Sequence, residues 1–238
     1  MKRSSFLASS ASLVALTGTP ARAADPVPGG THFVERRADF NLEAFQSAVD
    51  RSDSVIRQVW EAVAFHPQVF ANVRNALNGL QFGFGHAPAE IALAFAPHGP
   101  SGVYNYTDAM WTKYNLTEAF NLKDAQGKPV TSNIYLSPSR ALDKDADPDD
   151  PNGYYQDTSI QTLQSRGVVF LTCHTAVEEH ARALVKGQFS PAGMSQQDVA
   201  DDLLTHLIPG THVVPSMVAT IAVLQARHRY TYITVAFA

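Results

Sequence analysis

Cysteine is nearly absent from this chain of 238 residues, which contains only Cys173. One thiol cannot form a disulfide within the chain, so the fold must depend on its core and the thiol needs another explanation. Long apolar runs are absent too. No segment approaches ~18 consecutive apolar residues, the length of a membrane-spanning helix, so we expect a soluble mature protein with no membrane partner.

Basic charge is also scarce. Lys and Arg total 18 against 22 Asp and Glu, and the formal net charge is −4. No basic stripe runs along the chain, which argues against a nucleic-acid partner. Hydrophobic residues make up 45% and charged residues 17%, an ordinary globular composition. No internal repeat or second domain is evident.

The N-terminus has the features of an export signal. Lys2 and Arg3 precede a short apolar stretch rich in Ala and Ser, and residues 21–23 read Ala-Arg-Ala. We expect residues 1–23 to be removed and the mature chain to be periplasmic. Residues 2–7 resemble the twin-arginine motif with Lys in the first position, so a twin-arginine-like route and the general secretory route both stay open.

Strands and helices alternate along the rest of the chain. We expect an N-terminal arm and helix over 24–54, with the helix at 42–49 capped by Asn41, and one domain over 55–238. The segment 55–65 fits a strand or a helix, and we favour a strand. The predicted strands are 55–65, 91–96, 167–172, 213–214 and 230–236. The predicted helices are 67–80, 106–114, 159–165, 175–186, 195–207 and 217–227. This order predicts a single-domain α/β fold with a mostly parallel sheet and helices on both faces.

Chemistry-bearing residues follow three of these strands and should meet at the carboxyl edge of the sheet. Cys173 ends one strand and precedes a helix, whose N–H groups would stabilise a thiolate and lower the thiol pKa. Cys173 is therefore the candidate catalytic residue. The candidate binding residues at the same edge are His98, Gly99, His174, Pro215 and Ser216.

Simpler interpretations compete with these. A free cysteine is most often a small buried hydrophobe. His98 and His174 are both only candidate bases for the thiol, because a Cys-His pair is recognised by geometry. His180 is interpreted as a solvated helix position. Trp111 is a candidate pocket wall, although an aromatic at its spacing is more often a core residue.

We predict no metal and no cofactor. Cys173 and His174 are adjacent and would chelate one ion badly, with or without His98. The acidic stretch from Asp143 resembles the start of a calcium loop, but it lacks the turn glycine and has Tyr154 where the last ligand should be.

Several strings together resemble one family. They are IRQVW at 56–60, NVRNALN at 72–78, DAMWTKY at 108–114, the strand ending in Cys173, and LIPGTHVVPSM at 207–217. This arrangement is similar to the DsrE/DsrF-like sulfur-relay superfamily, in particular its exported branch. The resemblance implies a flavodoxin-like α/β fold, a homo-oligomer, and a cysteine that accepts a persulfide and hands it on. That role would fall on Cys173, with a small sulfur-containing ligand as partner.

Two functions remain open at this point. In the first, Cys173 binds or relays sulfane sulfur as a sulfurtransferase or persulfide carrier. In the second, the chain is a non-catalytic oligomeric module with a small-ligand pocket near His98, Trp111 and Pro215, since no second thiol or clear base is present. A metal-dependent hydrolase would rest only on the nine histidines.

Overall fold

The structure is a computed structural model that describes residues 34–66, 68–145 and 147–234. The expected export signal, its cleavage site, the first part of the arm and the end of the last predicted strand lie outside these residues. Within the described ranges, none of the helices has the length and apolarity that crossing a membrane requires.

Within the part of the chain that the structure describes, five strands form one sheet with the order β4-β3-β2-β1-β5, and every pair is parallel. The strands are β1 Ile56–Ala62, β2 Ile91–Pro97, β3 Val169–Cys173, β4 Thr211–Val214 and β5 Thr231–Thr234. The predicted single-domain α/β fold with a parallel sheet is confirmed. The strand order differs from the 2-1-3-4-5 order of flavodoxin itself, although both orders contain one reversal.

Eight α-helices lie in the described residues. They are α1 Leu42–Val49, α2 Val69–Asn78, α3 Asp108–Lys113, α4 Leu116–Ala119, α5 Ile160–Ser165, α6 His174–Lys186, α7 Gln196–Thr205 and α8 Met217–His228. The side chains of Asn41, Ser159 and Ser195 accept hydrogen bonds from the first turns of α1, α5 and α7, as good N-caps do.

One helix boundary differs from the prediction. The helix predicted to reach residue 80 ends at Asn78 and continues as a π-helical turn over Gly79–Gly83, where glycines weaken the regular helix. After β2 the chain forms a 3₁₀ helix over Gly99–Asn105. That segment is buried over most of its length, and it leads into α3.

The central strand β2 is buried on both faces, and the two faces carry residues of different size. Ile91, Leu93 and Phe95 pack with α2 and α5, whereas the three alanines between and after them pack with α1 and α8. Small side chains on one face let helices approach the strand closely, and large ones fill the wider space on the other. Helices therefore cover both faces of the sheet, as the sequence predicts.

The direction of the chain reverses after β4. Strands β1 to β4 lie next to one another in chain order. Helix α8 then crosses the sheet in the opposite direction, and β5 pairs with the free edge of β1. Right-handed crossovers place the connections that leave β3 and β4 on opposite faces of the sheet. The crevice between the carboxyl ends of these two strands is a topological switch point, where open α/β sheets bind ligands.

Asn105 fills a gap between β2 and β3 near this crevice. The ladder between the two strands has only the pairs Ala94–Val169 and Phe95–Phe170, so β3 continues without β2 beside it. The buried Asn105 Nδ2 donates to the Leu171 carbonyl and to Thr172 Oγ1, both at 2.8 Å. A side-chain amide thus satisfies a buried strand carbonyl that a sheet partner would otherwise satisfy.

The difference in burial between two phenylalanines predicts how much each contributes to stability. Phe95 is fully buried in β2, whereas Phe84 is 79% exposed. We expect Phe95→Ala to lower the free energy of unfolding by about 3–5 kcal/mol through lost burial and a residual cavity. Phe84→Ala, the matched control, should change it by less than about 0.5 kcal/mol. Urea denaturation measures both, and equal effects would contradict the assignment of the core.

Candidate functional site

Cys173 lies at the switch point between two helix N-termini. It is the N-cap of α6, and its Sγ accepts a hydrogen bond from the Ala176 N–H at 3.4 Å. The N–H of Met217, the first residue of α8, donates to the same sulfur at 3.2 Å. Both the N–H groups and the two helix dipoles favour negative charge on this sulfur.

The expectation of a lowered thiol pKa was wrong. Cys173 is only 6% exposed, and burial raises the pKa of its thiol above the ordinary value. The N–H groups of Ala176 and Met217 lower it, but they do not offset the loss of hydration, and Glu179 and Glu35 raise it further. The resting group is therefore a protonated thiol at neutral pH, because desolvation disfavours the charged form.

His174 is held by the N-terminal arm. Its Nδ1 donates to Glu35 Oε1 at 2.8 Å, and the ring of Phe40 meets the imidazole edge-on with 5.3 Å between centroids. The next residue, Thr175, donates from its backbone N and its Oγ1 to the Pro215 carbonyl, which links α6 to the end of β4. His174 and Pro215 thus lie beside Cys173 at the carboxyl edge of the sheet.

One group of described side chains has the spacing of a metal site. Glu35, His174 and Glu178 offer ligand atoms that all lie within 4.8 Å of one another. Within the group Glu35 accepts a hydrogen bond from His174 Nδ1, and Glu178 lies 3.7 Å from Arg182 Nη1 outside it. We assign the group to this hydrogen bond and this ion pair and attach no metal to it. It differs from the Cys173, His174 and His98 set weighed from the sequence.

His98 belongs to a second network at the end of β1. Its Nε2 donates to Glu61 Oε1 at 2.9 Å, and the Tyr232 hydroxyl donates to the other oxygen of the same carboxylate. Burial opposes ionisation of Glu61, but the hydrogen bonds from Tyr232 and His98 hold its pKa below the usual value. The carboxylate therefore stays ionised and orients the imidazole. His98, one of the two candidate bases for the thiol, is thus hydrogen-bonded to Glu61.

Gly99 and His180 form a buried contact beside these residues. Gly99 has φ +56°, a conformation that glycine adopts without strain. Its carbonyl accepts from His180 Nε2 at 2.9 Å, so Nδ1 of the same neutral ring accepts from the Tyr106 hydroxyl, also at 2.9 Å. The interpretation of His180 as a solvated position was wrong, because the 3₁₀ segment covers that face of α6.

Trp111 lies apart from this edge. It is buried among the residues of α3, α6 and α7, and its indole N–H donates to the Val103 carbonyl. The donor is therefore satisfied inside the core, and the side chain is not a wall of the expected pocket. Ser216 precedes α8, and its carbonyl accepts from Thr220 N and Oγ1; its hydroxyl does not cap the helix.

Sequence reasoning missed several residues of this edge. Glu35 and Glu61 orient the two histidines, Tyr106 holds His180, and Met217 supplies a backbone donor. Only Met217 had a sequence signal, since a residue that follows a strand and begins a helix presents a free N–H there. The other three depend on contacts between segments that are far apart in the sequence.

In comparisons with known proteins, no family model matched this chain, and neither the curated proteins nor the solved structures gave a match.

The buried His180 predicts acid sensitivity. Burial lowers its pKa to about 4 from 6.5, so folding favours the neutral ring. The stabilisation is complete above pH 6.5 and is lost as pH falls towards 4, because the unfolded chain binds the proton first. The free energy of unfolding should fall between about pH 7 and pH 4.5 in both proteins. We expect this fall to be smaller by about 2 kcal/mol in His180→Gln, because the variant has no imidazole to protonate there.

Urea denaturation at the two pH values measures this difference. His206→Gln is the control, because that imidazole is 46% exposed. An unchanged pH dependence in His180→Gln would contradict a neutral buried histidine.

Proposed function

We propose that the protein binds sulfane sulfur at Cys173 and holds it as a persulfide. The observation that carries this proposal is the convergence of two backbone N–H groups, from the N-termini of α6 and α8, on one sulfur atom. Helix N-termini bind anionic groups, and a persulfide that forms on Sγ is anionic at neutral pH. The place is also the switch point of the sheet, where ligands bind in open α/β folds.

The chemistry requires no second thiol and no external oxidant. The Cys173 thiol loses its proton to solvent, and the thiolate attacks the outer sulfur of thiosulfate. A new S–S bond forms, the S–S bond of thiosulfate breaks, and its electron pair leaves with sulfite. The resemblance of the surrounding strings to DsrE/DsrF-like relay proteins supports the same role for this residue.

Burial sets the character of this activity. The thiol is protonated at neutral pH and nearly inaccessible, so attack is slow compared with that of an exposed, low-pKa cysteine. Once formed, the persulfide is shielded from other thiols by the same burial. We therefore propose a protein that retains sulfur, and not an enzyme with rapid turnover.

A second candidate function is supported by the same burial. A cysteine that stays protonated and inaccessible fits a non-catalytic ligand-binding module, in which Cys173 is a packing residue of the core. The two candidates differ in whether sulfur becomes covalently attached. They can therefore be separated by the mass of the protein after exposure to a sulfur donor.

Intact-mass analysis after incubation with thiosulfate tests the covalent step. We expect a gain of about 32 Da, one sulfur atom, that a reducing thiol reverses once the protein is unfolded in denaturant. Sulfite should appear in equal amount. Cys173→Ala should gain nothing, and Cys173→Ser controls for packing because it keeps a similar volume. No adduct in the unmodified protein, or an equal adduct in Cys173→Ala, would favour the non-catalytic module.

The donor from α8 can be removed separately. Met217→Pro deletes the N–H that points at Sγ; proline suits the first position of a helix, and Ser216 already has the extended backbone that precedes proline. Met217→Ala is the matched control, because it also loses the buried side chain but keeps the N–H.

The pH dependence of iodoacetamide alkylation gives the thiol pKa in each variant. We expect it to be higher by about 1 unit in Met217→Pro than in Met217→Ala, since one hydrogen bond to the thiolate is lost. Equal values would mean that the second helix contributes nothing to the anion.

A further inference from the structure

A cavity of about 500 Å³ lies at the opposite edge of the sheet from Cys173. We call it the amino-edge cavity, because Ile91, at the start of β2, and Gly167, just before β3, form part of its wall. Its volume falls within the range of small-molecule sites. Nothing in the proposed sulfur chemistry uses it.

The first cation of this cavity is Arg51, in the turn between α1 and β1. Its Nη1 donates to the carbonyls of Ile91 and Gly167 at 3.1 and 3.4 Å, and its Nη2 to that of Pro88 at 3.5 Å. These acceptors are neutral, so they fix the guanidinium without cancelling its charge. Gly167 has φ +91°, and a Cβ there would lie 2.9 Å from Nη1, so glycine leaves room for this group.

The second cation is Arg166. Its Nη2 donates to Asn78 Oδ1 at 2.7 Å, its Nη1 to the Tyr155 carbonyl at 3.4 Å, and its guanidinium lies over the Tyr155 ring at 5.2 Å. These partners are again neutral. Both arginines are therefore held in place before any ligand arrives, which reduces the entropy cost of binding.

The remaining wall completes a cationic, partly apolar site. Lys144 has its ammonium 5.9 Å from the Tyr154 ring, and the Tyr154 hydroxyl is hydrogen-bonded to Ser165 Oγ at 2.8 Å. Asp145 is the one carboxylate among the described lining residues. A cavity with three cations and one carboxylate stands out in a chain of net charge −4.

We propose that the amino-edge cavity binds a small organic oxyanion, a phosphate or carboxylate attached to an apolar group. The oxyanion would lie between Arg51 and Arg166, whose planar guanidinium groups match the geometry of such anions. The apolar part would contact Leu77, Ile91 and Pro88 in the wall. This site is independent of Cys173, because it lies at the other end of the strands.

Isothermal titration calorimetry with phenyl phosphate tests this site. We expect one molecule bound per chain, with weaker binding as salt is added because the attraction is electrostatic. Benzoate and inorganic phosphate are titrated as separate probes. They distinguish a carboxylate site from a phosphate site, and inorganic phosphate should bind more weakly because it has no apolar group.

Substitutions locate the binding. Arg166→Gln should weaken it at least about tenfold, and Lys144→Gln at least about threefold. Lys144 is exposed, so its variant keeps the test valid if Arg166→Gln fails to fold. Lys186→Gln, an equal charge change at an exposed position on α6, and Cys173→Ala should leave the affinity unchanged.

Three results would overturn the proposal. The first is the absence of binding by the unmodified protein up to about 10 mM of each organic probe. The second is an equal affinity in Arg166→Gln, Lys144→Gln and the unmodified protein. The third is loss of binding in Cys173→Ala. The last would place the anion at the carboxyl edge. Failure here leaves the mass test at Cys173 unaffected, because that test reads a covalent change at the other edge.

Discussion

Burial of β2 on both faces is the constraint on which the other parts of the structure depend. Because one face carries alanines and the other carries Ile91, Leu93 and Phe95, helices can pack closely on the first face and must leave more room on the second. With both faces covered, functional groups are confined to the ends of the strands. The thiol and the cationic cavity occupy those two ends.

At the carboxyl edge, two opposing effects act on one atom. Loss of hydration favours the neutral thiol of Cys173, whereas the N–H groups of Ala176 and Met217 favour its anion. Desolvation is the larger effect for the free thiol. The same N–H groups would stabilise an anionic group attached to the sulfur, such as a persulfide, more than they stabilise the thiolate. Such a group is already charged, so no proton has to be lost within the core.

Local signals in the sequence were sufficient for most of the fold. The cap Asn41 and the apolar run at 91–96 act through neighbouring residues, and each appears where predicted. Cys173 also lies at the end of a strand, where the apolar run before it predicts it. These features depend on the backbone and on side-chain period, which a sequence displays directly.

The protonation state and partners of the site could not be predicted in this way. His180 lies on a helix face that looks exposed until the 3₁₀ segment before α3 is placed over it. Glu35 comes from an arm without any periodic pattern, yet it determines the orientation of His174. The indole N–H of Trp111 donates to the Val103 carbonyl inside the core, so the ring does not line a pocket. Each outcome depends on long-range contacts, and burial then decides the charge.

Helix α8 joins the two networks of the carboxyl edge through one short piece of chain. This helix begins at the N–H that contacts Cys173 and ends just before β5, whose Tyr232 donates to Glu61. It has 12 residues and is therefore about 18 Å long. Residues 217–234 thus supply both a donor to the sulfur and the hydroxyl that helps to orient the Glu61–His98 pair, so the ends of two different strands are tied together by a single covalent segment.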